Sequence, residues 1–432
     1  MSSRARGTAA TRTRLGLPAP EPLPPGVRIV LDARPLQEPD RAPVTATYLH
    51  ELLCAFDASP LPGESFAILL QAGLPDPTDA FDSLDVVGRR QLPPTRRLGS
   101  GALTLDPFLL RGASLGTAWR ASMGGAAGAV YHAVGGAVPL ASGLPLVVTL
   151  LDLAPWELAA QFQRSPAARF GQRLRARILR DAAAVIVPSQ AAARSARRLL
   201  HVPPDRLRVV PLAPRAAFAG TVDPTPGRLV RERLGVGERY LVYAGRYDAR
   251  QDLVTLLRAL GRLATKQAAP DLPRLLLVGA TPDDRAALAR AASREGVGDV
   301  LAYAPALDEE ALASLVAAAR AVVLPALSDA AGLSAMEAIA VGTPVVASSV
   351  GALPEIVGSA GILVEPRDPG RLATALDAAW SDETVHRGLA AAARARAASS
   401  HRTWADVALE TRRVYADAGV RRRPDRPVAA AD

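Results

Sequence analysis

Cysteine is almost absent from this chain of 432 residues, and so is lysine. The single cysteine, Cys54, has no partner for an internal disulfide bond and excludes a metal site built on several thiolates. No apolar run approaches the roughly 18 residues that a membrane-spanning helix needs. Residues 1–26 are rich in Arg, Thr and Pro but lack the apolar core of a signal peptide, so we expect a disordered tail. A cytoplasmic location is the default expectation that follows.

Positive charge is in excess, but over half of it lies at the two ends of the chain. The formal net charge is +9, and Lys266 is the only lysine. Residues 1–26 and 421–432 together carry eight arginines against three acidic residues. The part between them is therefore only mildly basic, and we expect no nucleic-acid partner.

Short apolar runs alternate with longer Ala-, Leu- and Arg-rich segments through most of the chain. This alternation is typical of βαβ units, which place helices around parallel sheets. The chain is too long for one ordinary core, so the predicted fold class is α/β with two facing Rossmann-like, doubly wound parallel-sheet domains. We assign residues 27–212 to the first domain, 213–227 to a linker, 228–400 to the second domain, 401–420 to a final helix and 421–432 to a basic tail.

Apolar runs predict the strands, and amphipathic periodicity predicts the helices between them. In the first half we predict strands at 27–31, 66–70, 129–132, 146–150, 184–187 and 207–211, a helix at 45–56, and a loop with short helices at 94–121. In the second half we predict strands at 240–243, 275–278, 300–303, 321–324 and 345–347, and helices at 252–264, 283–295, 309–318 and 333–340. Ligands of such sheets bind at the carboxyl ends of strands where the strand order reverses, so a site is expected in the loops that follow strands.

The loop after the strand at 321–324 carries residues suited to a nucleotide. It contains Asp329 and opens a helix near Gly332 and Leu333. A helix N-terminus offers free N–H groups and a partial positive charge, which suit a diphosphate. Glu337 lies one turn beyond Leu333 on the same face and could accept two ribose hydroxyls. The alternative is an ordinary βα unit in which Asp329 caps the helix and Glu337 is solvated.

The loop after the strand at 240–243 is a second candidate. Gly245 permits a tight turn, and Arg246 can donate two parallel hydrogen bonds to a phosphate. The alternative is a surface arginine beside a helix start that Asp252 caps.

From residue 208 to residue 415 the sequence resembles the retaining glycosyltransferases of family 4, also called group 1, whose fold is GT-B. Each motif is short, and the resemblance depends on the order of the motifs. The motifs of the second half are, in order, Gly245-Arg246, an acidic pair with seven residues between Asp329 and Glu337, Gly342-Thr-Pro-Val-Val-Ala and Leu353-Pro-Glu-Ile-Val. The motifs of the first half are Val147-Val-Thr-Leu-Leu-Asp152 and Ile186-Val-Pro-Ser189. In that family the last helix, here residues 404–415, crosses back onto the N-terminal domain.

The resemblance implies a UDP- or GDP-sugar donor on the second domain and a glycan or lipid-linked acceptor on the first. It also implies retention at the anomeric carbon, without a metal or other cofactor. The implied donor contacts are Gly245 and Arg246 to the phosphates with Gln251 beside them, the amides of Gly332 and Leu333 to the diphosphate and sugar, and Glu337 to the ribose. We take Asp329, which would contact the transferred sugar, Arg246 and Asp152 as the candidate catalytic residues.

Four departures from the family pattern favour a second hypothesis. Gln251 stands where the family has lysine, Asp329 where it has glutamate and Leu151 where it has histidine, and residues 43–48 lack the glycines of the acceptor loop. A neutral Gln251 cannot offset the charge that develops on a leaving diphosphate, and losing one such contact costs roughly 10²–10³ in rate. The alternative to an active transferase is a catalytically weakened GT-B protein that binds a nucleotide-sugar or a partner enzyme. Another GT-B reaction, such as epimerisation of the nucleotide-sugar, has no distinct feature in the sequence.

Two strand-end residues of the first half have open roles. His132 could line the acceptor side of the cleft as a proton carrier, or it could be a histidine hydrogen-bonded at a strand end. Asp152 could contact sugar hydroxyls, or it could cap the helix that begins near Pro155.

A basic helix at residues 169–180 has Phe170, Leu174 and Ile178 spaced for one face. It could make a weak peripheral contact with anionic lipid at the inner face of the membrane. The favoured interpretation is that its apolar face packs inward and its arginines are solvated.

Overall fold

The molecule contains two β-sheets. The strands of each sheet pair in parallel within the described residues. The structure is a computed structural model that describes residues 22–94, 105–111, 128–135, 137–266 and 271–420. The predicted tails up to residue 21 and from residue 421, and most of the predicted loop at 94–121, lie outside the described residues.

The strands divide between an N-terminal and a C-terminal domain. The first sheet contains β1 (Arg28–Asp32), β2 (Ser65–Gln71), β3 (Val86–Leu92), β4 (Ala129–Val134), β5 (Leu146–Thr149), β6 (Ala184–Val187) and β7 (Leu207–Val209). The second contains β8 (Leu241–Ala244), β9 (Leu275–Val278), β10 (Leu301–Ala304), β11 (Ala321–Leu324), β12 (Val345–Ser348) and β13 (Gly361–Val364).

Helices connect the strands. The longer ones are α1 (Pro43–Ala58), α2 (Pro166–Asp181), α3 (Gln190–Leu200), α4 (Thr225–Leu234), α5 (Leu253–Ala264), α6 (Pro282–Arg294), α7 (Glu309–Ala317), α8 (Leu333–Ala340), α9 (Pro369–Ser381), α10 (Glu383–Ser399) and α11 (Trp404–Val420). Short helical segments lie at Arg34–Gln37, 105–111, Ala154–Glu157, Ala159–Phe162 and Leu353–Val357.

Strand order reverses once in each sheet, next to its first strand. The orders are β3-β2-β1-β4-β5-β6-β7 and β10-β9-β8-β11-β12-β13. The chain winds outward from β1 in one direction and then from β4 in the other, and it does the same from β8 and β11. The prediction of two doubly wound α/β domains is confirmed, and the loops after β8 and β11 lie side by side at a reversal point.

The predicted strands agree with the structure within about two residues, apart from two omissions. β3 was not predicted, because this edge strand has mostly exposed side chains, including Arg89 and Arg90, and lacks an apolar run. β13 was also not predicted, since its four residues follow directly on two short helical turns.

The chain crosses between the domains twice. At the first crossing Ala213 is buried in the N-terminal core and Phe218 in the C-terminal core, and α4 then begins at Thr225, inside the segment that we assigned to the linker. At the second crossing α10 ends and α11 packs on the N-terminal domain, where Arg412 donates to both carboxylate oxygens of buried Glu64 at 2.9 and 2.6 Å. Within the described residues, no helix combines the length and apolar composition that a membrane span requires.

Candidate functional site

The loop after β8 and the loop after β11 are hydrogen-bonded to each other. The amide of Asp252 donates to the carbonyl of Pro325 at 2.7 Å, and the amide of Leu327 donates to the carbonyl of Arg250 at 2.7 Å. Gln251 and Ala326 form an isolated antiparallel bridge between these two contacts. The structure therefore brings together the two loops that the sequence predicted as separate candidate sites.

The start of α8 is held by its own acidic residue. Asp329 Oδ1 accepts hydrogen bonds from the amides of Ala331 at 3.1 Å and Gly332 at 2.7 Å. Burial raises the pKa of the Asp329 carboxyl, and the two amide hydrogen bonds oppose that rise. Asp329 thus binds two amides of the loop that precedes α8, and no side chain caps the first turn of this helix among the residues that the structure describes. The first-turn amides that follow, beginning at Leu333, have no intrahelical carbonyl to bind.

Two glycines allow the chain to approach closely at this point. Gly332 has φ +64°, and a Cβ there would overlap the side chain of Ile356. A Cβ at Gly351, where φ is +54°, would overlap the carbonyl of Asp329. These glycines fix the path of the loop that carries Asp329, because a larger residue would displace it.

Arg246 lies at the mouth of the cleft between the domains. Its Nε donates to Asp248 Oδ2 at 2.8 Å, and its Nη1 lies 3.5 Å from the carbonyl oxygen of Arg41 in the N-terminal domain. Gly245 precedes it at the end of β8, where a Cβ would lie 3.1 Å from Tyr243 Oη. The Arg246 side chain is about one-third exposed, so an anion can reach it.

A second arginine, Arg250, spans the cleft. Its Nε donates to Asp152 Oδ1 of the N-terminal domain at 3.3 Å, and its Nη2 donates to the other carboxylate oxygen. The guanidinium also covers the ring of Phe162, with Cζ 4.7 Å from the ring centroid. Asp152 also accepts a hydrogen bond from the amide of Ala154 at 2.9 Å, at the start of the short helix Ala154–Glu157. Asp152 therefore both binds the start of this helix and faces the C-terminal domain. Sequence reasoning gave Arg250 no role, although its position beside the neutral Gln251 was a usable signal.

Gln251 lies against the neighbouring loop through its backbone. Its side-chain Oε1 is buried and has no hydrogen-bond partner among the residues that the structure describes. Leaving a buried amide oxygen without a partner carries an energetic cost.

Glu337 is buried at 5% exposure and carries an ion pair. Arg215, from the first crossing between the domains, donates through Nε to Oε1 and through Nη2 to Oε2, the latter at 2.9 Å. Arg215 Nη1 also donates to Glu309 Oε1 at 3.0 Å. Burial raises the pKa of Glu337, and the Arg215 cation opposes that rise. The alternative of a solvated Glu337 is therefore wrong, and Arg215 was missed because 122 residues separate the two in sequence.

One further carboxylate approaches this cluster from the opposite domain. Glu51 of α1 is 8% exposed. Its burial raises its pKa to about 7, with Glu309 and Glu337 adding to the rise and Arg215 opposing it.

The loop that carries Asp329 is seated against the N-terminal domain. Ser189 Oγ donates to the carbonyl of Ala330 at 3.0 Å, and Ser328 Oγ donates to Glu157 Oε2 at 2.6 Å. On the same flank, Glu355 of the C-terminal domain accepts from the amides of Gln190 and Ala191 at the start of α3. The two domains thus meet around the candidate donor loop.

His132 does not line the cleft, which corrects its assignment to the acceptor side. Its ring is fully buried, with Nε2 2.8 Å from Thr149 Oγ1 and Nδ1 2.8 Å from Tyr415 Oη of α11. Burial lowers the pKa of the His132 ring to about 3, so the ring is neutral near pH 7. The residue is the hydrogen-bonded strand-end histidine of the alternative interpretation.

Helix α2 buries only part of the predicted apolar face. Ile178 is buried and Leu174 is partly buried, but Phe170 is 55% exposed. The helix turns Arg175 inward instead, where its guanidinium covers the Trp156 ring at 4.8 Å from the centroid. Phe170 therefore lies on the solvent face of the helix, together with Arg169, Arg173, Arg177 and Arg180.

Two family models match the chain. The model described as glycosyl transferases group 1 matches residues 238–382, and the model described as glycosyl transferase 4-like domain matches residues 45–213. The first covers the loops after β8 and β11, and the second covers most of the N-terminal domain.

The chain is also similar to glycosyltransferases among curated relatives and to solved structures with the same fold. A D-inositol 3-phosphate glycosyltransferase of Jonesia denitrificans is 30% identical over 55% of this chain and 58% of its own length. The chain spans about half the length of the curated relatives it matches. Sucrose-phosphate synthase from Thermosynechococcus elongatus superposes with a TM-score of 0.66 at 22% identity, covering 90% of this chain and 98% of that one. HepE of Anabaena, solved in complex with UDP-glucose, superposes at 0.64 with 18% identity over 90% and 98%.

Proposed function

Because the chain belongs to the group 1 glycosyltransferases and has the GT-B fold, we propose that it transfers a sugar from a nucleoside-diphosphate sugar to an acceptor. One observation carries the proposal. The loops after β8 and β11 are joined at the reversal point of the second sheet, and both face the N-terminal domain. A ligand held there by the C-terminal domain lies within reach of a second ligand on the N-terminal domain.

The donor contacts follow from the placement of the charged groups. The accessible guanidinium of Arg246 binds the diphosphate, and the helix-start amides from Leu333 onward complete the anion site. Glu337 accepts the hydroxyls of the ribose, one turn further along α8. In this proposal Asp329, in the loop after β11, contacts the transferred sugar.

The leaving diphosphate is stabilised by protein cations in this proposal, with no metal ion. Arg246 and Arg250 lie in the same loop and both pair with Asp248. In this proposal Arg250 exchanges its partners Asp152 and Asp248 for the diphosphate and so supplies the positive charge that Gln251 lacks. Fixed cations in a site that excludes water lower the energy of the charge that develops as the glycosidic bond breaks. The sugar is transferred with retention at the anomeric carbon, as the family resemblance implies.

The donor is a UDP- or GDP-sugar, and the acceptor is a glycan or a lipid-linked molecule on the N-terminal domain. The solved complex of HepE with UDP-glucose supports a sugar nucleotide as the donor. The exposed arginines and Phe170 of α2 suit a weak contact with anionic lipid at the cytoplasmic face of a membrane.

A second candidate function is favoured by the state of two site residues. Gln251 is neutral, and one carboxylate oxygen of Asp329 is engaged by two amides of the loop before α8. A catalytically weakened protein that binds nucleotide-sugar or a partner enzyme without efficient turnover would have these features.

Radiolabelled UDP- and GDP-sugars separate the two candidates. We expect the wild-type chain to release free sugar from one donor class, and Glu337→Ala to lose affinity for that donor. The variant should also melt at a lower temperature, because buried Arg215 loses its carboxylate partner. Glu310→Ala, which removes an exposed carboxylate from the same domain, is the matched control. Binding without release of sugar, with candidate acceptors present, would favour the weakened protein. Equal nucleotide affinity of Glu337→Ala and the wild type would refute the role given to Glu337.

A further inference from the structure

Arg215 links the first crossing between the domains to the candidate ribose site. The chain leaves the N-terminal core at Ala213 and enters the C-terminal core at Phe218, so Arg215 lies in the crossing itself. From there its side chain reaches Glu337 on α8.

The ion pair favours the ionised form of Glu337. A carboxylate at 5% exposure without a cation nearby takes up a proton, because burial disfavours its charged form. Arg215 supplies the compensating charge through two parallel hydrogen bonds, one to each carboxylate oxygen. A carboxylate has about four lone-pair sites, so this pairing leaves an acceptor site on each oxygen.

The guanidinium is itself fixed in place. Its Cζ lies 5.0 Å from the centroid of the Phe218 ring, and its Nη1 donates to Glu309 Oε1 at 3.0 Å. All three guanidinium nitrogens of Arg215 thus donate hydrogen bonds, and the side chain is only 14% exposed. A group that is held this firmly can orient the carboxylate it touches.

We propose that Arg215 is a positioning residue that holds the Glu337 carboxylate ionised and oriented for the two hydroxyls of the donor ribose, and thereby selects ribonucleotides over 2′-deoxyribonucleotides. The inference rests on the proposed function, because it needs Glu337 to be the ribose contact. It goes beyond that function by assigning to a residue of the interdomain crossing the discrimination between two classes of nucleotide.

The test compares nucleotide pairs that differ by one hydroxyl. Dissociation constants are measured calorimetrically for UDP, 2′-deoxy-UDP, GDP and 2′-deoxy-GDP with the wild type, Arg215→Met, Arg215→Lys and Arg320→Met. Arg320 is the matched control, since it is also a poorly exposed arginine paired with a glutamate, Glu383, in the same domain.

We expect the wild type to prefer the ribonucleotide of one base about tenfold or more, the scale of one hydrogen bond to a charged group. Arg215→Met should weaken ribonucleotide binding by a similar factor and bring the preference within about twofold. Arg215→Lys should keep part of the preference, because an ammonium retains the charge but not the fork. Arg320→Met should leave the preference unchanged.

The possible failures are distinguishable. If the wild type binds neither UDP nor GDP, the proposed function falls and this inference falls with it. If the wild type binds and Arg215→Met keeps the full preference, only the inference is overturned. A gain in affinity for Arg215→Met also overturns it, because Arg215 would then compete with the ribose. Thermal melting verifies that each variant is folded, and if Arg215→Met is not, an undiminished preference in Arg215→Lys overturns the inference.

Discussion

Arg250 of the C-terminal domain and Asp152 of the N-terminal domain form an ion pair across the cleft, although 98 residues separate them in sequence. The pair places a cation beside Gln251, where the family has a lysine. It also holds the two domains together at the point where the donor diphosphate is expected, so binding must either accommodate this pair or exchange it for phosphate.

Removal of the Arg250 charge should impair catalysis. We expect Arg250→Met to lower the rate of sugar release by about 10²-fold, because one fixed cation at the leaving diphosphate is lost. The control is Arg258→Met, an exposed arginine at the surface of α5. Equal rates for Arg250→Met and the wild type would show that Arg250 serves only the contact between domains.

Asp329 can be tested for charge and hydrogen bonding separately. Asp329→Asn keeps an oxygen that accepts from the amides of Ala331 and Gly332, but it removes the charge. We expect it to melt near the wild-type temperature and to lose about 10²-fold in turnover. Asp329→Ala should lose both amide hydrogen bonds as well, at a cost of about 2 kcal/mol in stability. Wild-type turnover in Asp329→Asn would contradict a role for the negative charge.

Gln251→Lys should raise activity if the site is merely attenuated. The glutamine oxygen is buried without a described partner, so its removal forfeits no observed hydrogen bond. An ammonium there should raise the rate of sugar release about tenfold by offsetting charge on the diphosphate. Gln251→Met, neutral and similar in length, controls for the change in shape. No gain with lysine, or an equal gain with methionine, would argue against missing charge as the cause of weak activity.

Glu51 should make stability depend on pH. Burial raises its pKa to about 7 from an ordinary value of 4.5, with Glu309, Glu337 and Arg215 facing it. The unfolded chain releases this proton first, so stability is lost as pH rises from the unfolded pKa through the folded one. Glu51→Gln removes that loss, and we expect it to stabilise the protein by about 2–3 kcal/mol near pH 8 and little near pH 4.5.

Melting temperatures across this pH range measure the effect. Glu310→Gln, at an exposed position of the same charge, should shift little at either pH. A Glu51→Gln variant with the same pH profile as the wild type would mean that Glu51 is ionised and solvated in the folded protein.

Tyr415→Phe should destabilise the N-terminal domain without touching the donor site. The substitution leaves Nδ1 of buried His132 without the hydroxyl that lies 2.8 Å away. An unsatisfied buried polar atom costs about 1–3 kcal/mol, which a thermal melt will detect. Nucleotide affinity should not change, because the hydroxyl and the ring lie in the core. A fall in nucleotide affinity at unchanged stability would indicate that His132 acts in the cleft.

The sequence predicted what depends on local pattern. Strands such as β9 and β11 are short apolar runs between helices, and the parallel arrangement follows from that alternation. The loops that carry Arg246 and Asp329 were found for the same reason, since ligand loops of such sheets follow strands.

The pairing of charges could not be predicted in this way. Arg215 with Glu337, Arg250 with Asp152 and Tyr415 with His132 are each formed between residues about a hundred or more positions apart. Which partner a guanidinium takes depends on how the two domains meet, and the pattern within one segment holds no information on that. β3 was missed for a related reason, because an edge strand with an exposed face carries little apolar signal.

Helix α11 has a mechanical consequence. It is anchored in the N-terminal domain by the buried pair of Arg412 and Glu64, and it enters that domain through residues 400–403, while residues 213–218 make the other passage. Two covalent tethers leave one rigid body little freedom to twist or slide against the other. A rotation about the line that joins the two passages is the relative motion that such a connection allows most readily, and Arg215 lies in one of these passages.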